Sequence, residues 1–464
     1  MKIDTTSKAI DFWFNDHYAE MLNVLARLVE VRSVAGAKSP NEPNGRGPLI
    51  ALATMAQIMR EYGIEINNFK NSVITADMNK KEPVLGILAH LDVVDAGDGW
   101  DSEPFRMKMK DGKLIGRGVM DDKGPAVAAL FAMRAAMDIF PRMSKGCRLI
   151  FGSAEETGSE DIAAYLKENK LPSNVFTPDA DYPVINFEKG RYAPEFSKVF
   201  EKADGARVVS FTGGDIMNKV PEKAEAVLAG VSMGKAMECC EGIAGTEFSV
   251  SEEDGLTTVT ARGRSAHAAH PETGVNAQTA LIAALAKMPL YGGGYDAVRA
   301  LARLIPHGDT EGNALGISMN DEKTGNLTLN FGVLSIGETY VKGGLDLRTP
   351  MGASDDNVRA PLEKSFSAEG FRVSGSMVPC HYTPEDSPFI KTLLSVYEDY
   401  TGLKGECLAI GGGTYVHDIE GGVAVGCEMP VTDHFIHVAN EWISIDELVT
   451  SAKIFTRVII DMCM

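Results

Sequence analysis

The sequence predicts an α/β protein, a largely parallel sheet with helices around it, interrupted by an α+β insert. Three observations carry that expectation. Apolar runs of strand length, Val84 to Ala89 and Arg148 to Phe151, are separated by a long alanine-rich helical stretch that starts near Gly124, and strand, helix, strand is the unit from which parallel sheets are built. From about residue 190 the texture changes to valine-rich alternating stretches such as Glu247 to Ala261 and Asn326 to Ile336, set between helices such as Asn276 to Met288. That mixture suits antiparallel pairing. The C-terminal stretch then returns to the first pattern, with a helix at Ser387 to Tyr400, a short strand at Val423 to Gly426 and a closing helix from Asp446.

The opening segment, Ser7 to Val34, has Phe12, Met21, Leu25, Leu28 and Val31 on or near one helical face, as expected of a surface helix packed on a core. The most apolar helix, Pro125 to Phe140, is too short to cross a membrane and carries Arg134 and Asp138, so it reads as a buried helix. A chain of 464 residues has room for about three folding units, or two with one large. Apolar residues at 44% and charged residues at 23% place it among ordinary globular proteins. The net charge of −19 repels phosphate backbones and anionic membranes, so neither nucleic acid nor a membrane is expected as a partner. Seven scattered cysteines without a C-x-x-C pair, and an N-terminus broken by Asp4, Lys8, Asp11 and Asp16, point to a reducing, cytoplasmic setting.

Chemistry-bearing residues recur just after predicted strands or at turns. His90 and Asp92 of HLD follow the first apolar run, where open α/β sheets bind ligands, and Asp92 can orient the imidazole. GRGVMDDKGP, Gly116 to Pro125, presents two aspartates at a helix N-terminus, a pattern that capping alone also explains. AEETG, Ala154 to Gly158, places Glu155 and Glu156 past the next strand. One carboxylate of such a pair can bind a cation while its neighbour takes a proton from water. TPDADYP offers Asp179 or Asp181, and HFIHVANEW offers His434 or His437. Two histidines with three or four carboxylates form a costly like-charge cluster unless cations neutralise it. The composition is that of a two-metal site. The long gap between Asp179 and the last histidine fits an inserted domain.

These motifs, taken with GGDIMNKVPEKA, GRSAHAAHPETGVNA, DLRTP and GGGTY in the same order along the chain, resemble the co-catalytic zinc metallopeptidases that include carboxypeptidase G, aminoacylase and carnosinase. Within that family the chain is most similar to the dipeptidase V (PepV-type) branch. The resemblance implies a catalytic domain with a mixed, largely parallel sheet, residues 1–189 and 382–464, and an inserted α+β lid, residues 190–381. It implies that Asp121 bridges two divalent cations, with His90 and Asp179 completing one site and Glu156 and His437 the other. Zn²⁺ is the expected metal, with Mn²⁺ or Co²⁺ able to use the same ligands. Asp92 would orient His90, and Glu155 would be the general base. A cis peptide is implied between Asp121 and Asp122. In the lid, Asn218 and Arg348 would hold the substrate carboxylate and His267 would reach the scissile carbonyl, with lid closure completing the site. Gly412, Gly413 and Thr414 would lie beneath the substrate's C-terminal part. The enlarged lid implies a monomer.

The activity implied is hydrolysis of dipeptides. An N-acyl amino acid deacylase of the same family is the alternative, followed by a non-catalytic binding protein and a two-metal phosphoesterase. The full set of ligands plus Glu155 weighs against the binding protein, and the motif order against the phosphoesterase. Val416 and His417 stand where relatives often carry a basic residue, which bears on substrate preference rather than on the reaction.

Overall fold

The computed structural model describes residues 4–464. The chain divides into two compact units: one comprises the residues up to Phe187 with His381–Leu408 and Gly413–Met464, the other Glu188–Cys380 with Ala409–Gly412.

The first unit is built on a mixed sheet. Its strands lie in the order Ile66–Phe69, Val73–Asp77, Gly146–Gly152, Pro83–His90, Asn174–Thr177, Val423–Ala424, Val184–Glu188 and His381–Tyr382. The central pairs are parallel: Pro83–His90 runs alongside both Gly146–Gly152 and Asn174–Thr177, and the last pairs with Val423–Ala424. Antiparallel pairs flank them. Central strands buried on both faces read as unbroken apolar runs, and Leu85 to Ala89 is such a run. The α/β expectation for this part is therefore met.

Helix Lys123–Ile139 packs with Thr5–Val29 and Ile445–Cys463. Every residue from Ala126 to Met133 is fully buried, which is how a helix apolar all round is accommodated in a soluble fold. Among the described residues no helix is long and apolar enough to cross a membrane.

The first helix differs from its expectation at both ends. It runs Thr5–Val29, capped by the Asp4 carboxylate, which accepts from the Ser7 N–H. Its buried stripe is Ile10, Trp13, Phe14, Met21, Leu25 and Leu28. Phe12 sits two residues from Ile10, roughly 200° round the helix, and is 71% exposed; the expected face was misplaced there. Val31 lies beyond the helix, because the buried ammonium of Lys123 takes the carbonyls of Leu28 (3.0 Å) and Val31 (2.7 Å) and caps the C-terminal end. Burial pulls the pKa of that ammonium down to about 7.

The second unit is an α+β body around an antiparallel sheet ordered Glu247–Glu253, Leu256–Arg262, Lys223–Ala229, Arg207–Gly213, Thr328–Ile336, Tyr340–Thr349, Glu195–Val199 and Arg372–Ser374. Helices Ala277–Leu285 and Gly293–Leu304 share its apolar core. The alternating stretch from Glu247 is two strands rather than one. It folds back at Asp254 and Gly255, both at positive φ (49° and 74°), the paired left-handed geometry that the twist of a two-residue hairpin favours and that an Asp-Gly pair supplies.

Candidate functional site

In the first unit, three parallel strands end side by side. His90 is the last residue of its strand and pairs with Gly152 of the next, so Glu155 and Glu156, in the turn just beyond Gly152, and Asp179, just beyond Thr177, emerge at the same edge. Asp121 joins them from the turn before helix Lys123–Ile139, and the Asp121–Asp122 peptide is cis. His90 Nε2 lies 3.0 Å from Asp121 Oδ1 and 3.5 Å from Asp179 Oδ2. The other oxygen of Asp121 lies 2.8 Å from His437 Nε2, which is also 3.2 Å from the Glu156 carboxylate. One carboxylate thus stands between two imidazoles. Donor atoms of His90, Asp121 and Glu156 lie within 4.8 Å of one another, as do those of His90, Glu155 and Asp179.

The electrostatics ask for positive charge. Burial pushes the carboxyl of Glu155 well up, reinforced by Asp179, Glu156 and Asp121. Burial and Asp121 likewise raise Glu156 and Asp179. Burial also acts to raise Asp121, but the imidazoles of His437 and His90 beside it hold it well below the usual carboxylate range. For His437, burial alone would lower the imidazole pKa, and Asp121 with Glu156 instead lift it to about 11. The buried Nε2 of His90 makes no hydrogen bond. An imidazole lone pair without a hydrogen-bond partner, facing carboxylates that repel one another, is the donor set of an oxygen- and nitrogen-ligated divalent cation, so the residues present fit such ions.

The supporting groups are only partly those expected. Asp92 does reach His90, but Nδ1 lies closer to its backbone carbonyl (3.0 Å) than to its carboxylate (3.4 Å). That carboxylate accepts the N–H groups of Glu155 (3.2 Å) and Glu156 (3.1 Å), so Asp92 fixes the glutamate turn as well as the imidazole. Asp122 stands at the helix N-terminus without a side-chain cap; its buried carboxylate instead accepts the His90 N–H at 2.9 Å. Tyr415, whose ring meets that of His90 edge-on, donates to Asp161 Oδ2 at 2.7 Å. Its position after GGGT was visible in the sequence, but the partner 254 residues away was not. Of the paired alternatives, His434 lies buried between Glu428 and Glu447, and Asp181 bridges to the backbone of Glu428.

Asn218, His267, Arg348 and Gly412 belong to the second unit, whereas Gly413 and Thr414 belong to the first. Asn218 and His267 are brought together by main-chain pairing: Lys219 bridges His267, and the Asn218 carbonyl accepts the Ala268 N–H at 2.9 Å. Asn330 steadies this turn by donating to the carbonyls of Met217 (2.8 Å) and Lys219 (2.9 Å). A side chain on Gly332 would come within 2.4 Å of the Met217 carbonyl, so only glycine lets the turn approach the bulged strand there. Arg348 is held by Asp346 (2.6 Å from Nε) and donates through Nη1 to the Gly411 carbonyl at 2.8 Å.

Comparison with known proteins adds an independent line. Residues 86–461 match the sequence model of Peptidase family M20/M25/M40. The chain is 32% identical over 452 residues to a Beta-Ala-Xaa dipeptidase of Lactobacillus delbrueckii subsp. lactis, covering 95% of this chain and 96% of that protein. Its fold is similar to the crystal structure of human carnosine dipeptidase 1, with a TM-score of 0.62, 16% identity and 99% of each chain covered. It is also similar to the di-peptidase Dug1p of Saccharomyces cerevisiae, with a TM-score of 0.60, 14% identity and 98% of each chain covered.

Proposed function

The chain belongs to peptidase family M20/M25/M40, and from that premise we propose that it is a dipeptidase that works with two divalent cations. The observation that carries the reading is the Asp121 carboxylate, with one oxygen toward His90 and the other toward His437. His90, Asp121 and Asp179 would hold one cation, and Asp121, Glu156 and His437 the other. Mixed imidazole and carboxylate donors suit Zn²⁺, and Mn²⁺ or Co²⁺ can use the same set. When bound, the cations supply the positive charge that acidifies a water and polarises the scissile carbonyl.

The chain's own residues do the rest. Glu155, whose carboxyl burial and neighbouring carboxylates push up, takes a proton from the attacking water and delivers it to the leaving amine as the carbon–nitrogen bond breaks. A base whose pKa is moved toward the working pH serves both transfers. Asp92 keeps Glu155 and Glu156 in register through their N–H groups, a positioning role. His267 donates to the developing oxyanion. Asn218 and the N–H groups of Arg348 that Asp346 and the Gly411 carbonyl leave over bind the C-terminal carboxylate, and anchoring that end limits the substrate to short peptides.

The test is a substrate panel of dipeptides with α-amino and β-alanyl first residues, tripeptides and N-acetyl amino acids. Release of amino acids from dipeptides in preference to the other classes is expected. Cleavage confined to the N-acetyl compounds would move the chain to the deacylases. In the same reading the protein is a monomer, which light scattering checks against the chain mass of 49.9 kDa.

A further inference from the structure

Glu441 lies four residues past His437 and is fully buried. Its carboxylate does not face the ligand cluster. It accepts the backbone N–H groups of Gly118 (3.0 and 3.1 Å to its two oxygens), Met120 (2.9 Å) and Asp121 (3.1 Å), and the guanidinium of Arg117 at 2.7 Å. Its own carbonyl accepts the Gly116 N–H at 3.0 Å. Arg117, 1% exposed, also reaches the carbonyl of Val438 at 3.3 Å. One carboxylate therefore closes the turn that ends at Asp121 and ties it to the segment that carries His437, across 320 residues of sequence.

That segment does not hold its own shape. His437 and Asn440 both occupy the left-handed region (φ 63° and 65°), which residues other than glycine rarely adopt and which persists only where surroundings over-determine it. The surroundings are Arg117 on Val438, Glu441 on the Asp121 turn, and Asn440 Oδ1, which accepts the Asp101 N–H at 3.0 Å. A buried carboxylate and a buried guanidinium are each costly alone and are retained as a pair with their hydrogen bonds satisfied.

We propose that Glu441, backed by Arg117, is a positioning residue that sets the separation of Asp121 and His437 and so determines how tightly the cation between them is held. This rests on the two-cation reading above. The experiment compares full-length wild type, Glu441→Gln, Glu441→Asp and Arg117→Lys. Zn²⁺ affinity is measured by competition with a chromogenic chelator, and the visible spectrum is recorded after loading with Co²⁺. Folding is checked by melting in chelator.

The expected result is a Glu441→Gln protein that melts cooperatively, binds one of two Zn²⁺ ions about 10–100-fold more weakly and has an altered Co²⁺ spectrum. At saturating metal its KM should be near that of wild type while kcat is lowered. Arg117→Lys and Glu441→Asp should fall between it and wild type. Wild-type affinity and an unchanged Co²⁺ spectrum in the folded variants would overturn the proposal. So would failure of all three variants to fold, since Glu441 would then be a folding element rather than a positioning residue. A wild type that binds neither Zn²⁺ nor Co²⁺ would instead sink the two-cation reading itself.

Discussion

The acidic and imidazole cluster of the first unit and the Asn218, His267 and Arg348 group of the second are built by different means. In the cluster, buried carboxylates fix their neighbours: Asp92 accepts the N–H groups of the glutamate turn, Asp122 the His90 N–H and Asp161 the Tyr415 hydroxyl. In the second group the exposed Asn218 and His267 are placed by main-chain pairing, with Asn330 beneath them, and only the buried Arg348 is held by a carboxylate, that of Asp346. The two groups are therefore vulnerable in different ways. Removing one of these carboxylates from the cluster strands the N–H or O–H donors it accepts, whereas removing an exposed binding group loses only its own contacts.

The largest effect is expected at the base. Glu155→Gln should retain both cations by metal analysis yet lose about 10²–10⁴-fold in kcat; full activity in that variant would refute its role. His437→Ala should lose one cation, read as metal per chain after dialysis. In the second unit, Arg348→Met should raise KM for dipeptides about 10–100-fold, the loss of one charged hydrogen-bonded pair, and should leave C-terminally amidated dipeptides nearly unaffected. Asn330→Ala should act more weakly still, through the turn that carries Asn218: stability falls by about 1–3 kcal/mol and KM rises modestly, both measured on the same preparation.

The smallest effect is expected at a buried group outside both sets. Burial lowers the pKa of His434, but the carboxylates of Glu428 and Glu447 beside it override that and raise the imidazole to about 9. A folded-state value above the ordinary one means the charged form stabilises the fold. The contribution is complete below about pH 6.5, the unfolded value, and is lost as pH rises toward 9. Melting temperature should therefore fall across that window in wild type and fall less in His434→Gln.

Much of the fold was legible because its signals are local. The apolar runs ending at His90 and Gly152, and the alanine-rich helix between them, announce a parallel α/β core without any knowledge of distant contacts. His90, Glu155, Glu156 and Asp179 were candidates for the same reason, each standing just past a strand. Spacing could not separate His434 from His437, since both lie on one short loop, and the choice depends on Glu428 and Glu447 enclosing the former. Glu441 was hidden more deeply. Its role is expressed through backbone N–H groups, which every sequence contains. Phe12 was misread because a helical face inferred from a few positions tolerates an error that the full stripe of Ile10, Trp13, Phe14 and Met21 removes.

The most direct test of the central claim is amino acid release from dipeptides by chelator-stripped protein, before and after Zn²⁺, Mn²⁺ or Co²⁺ is restored, with Glu155→Gln alongside. Stripped protein should give no release, at least one of the three ions should restore it, and Glu155→Gln should stay about 10²–10⁴-fold slower than wild type under every one of them. Hydrolysis that persists in chelator, or silence of the wild type under every ion, would contradict that claim.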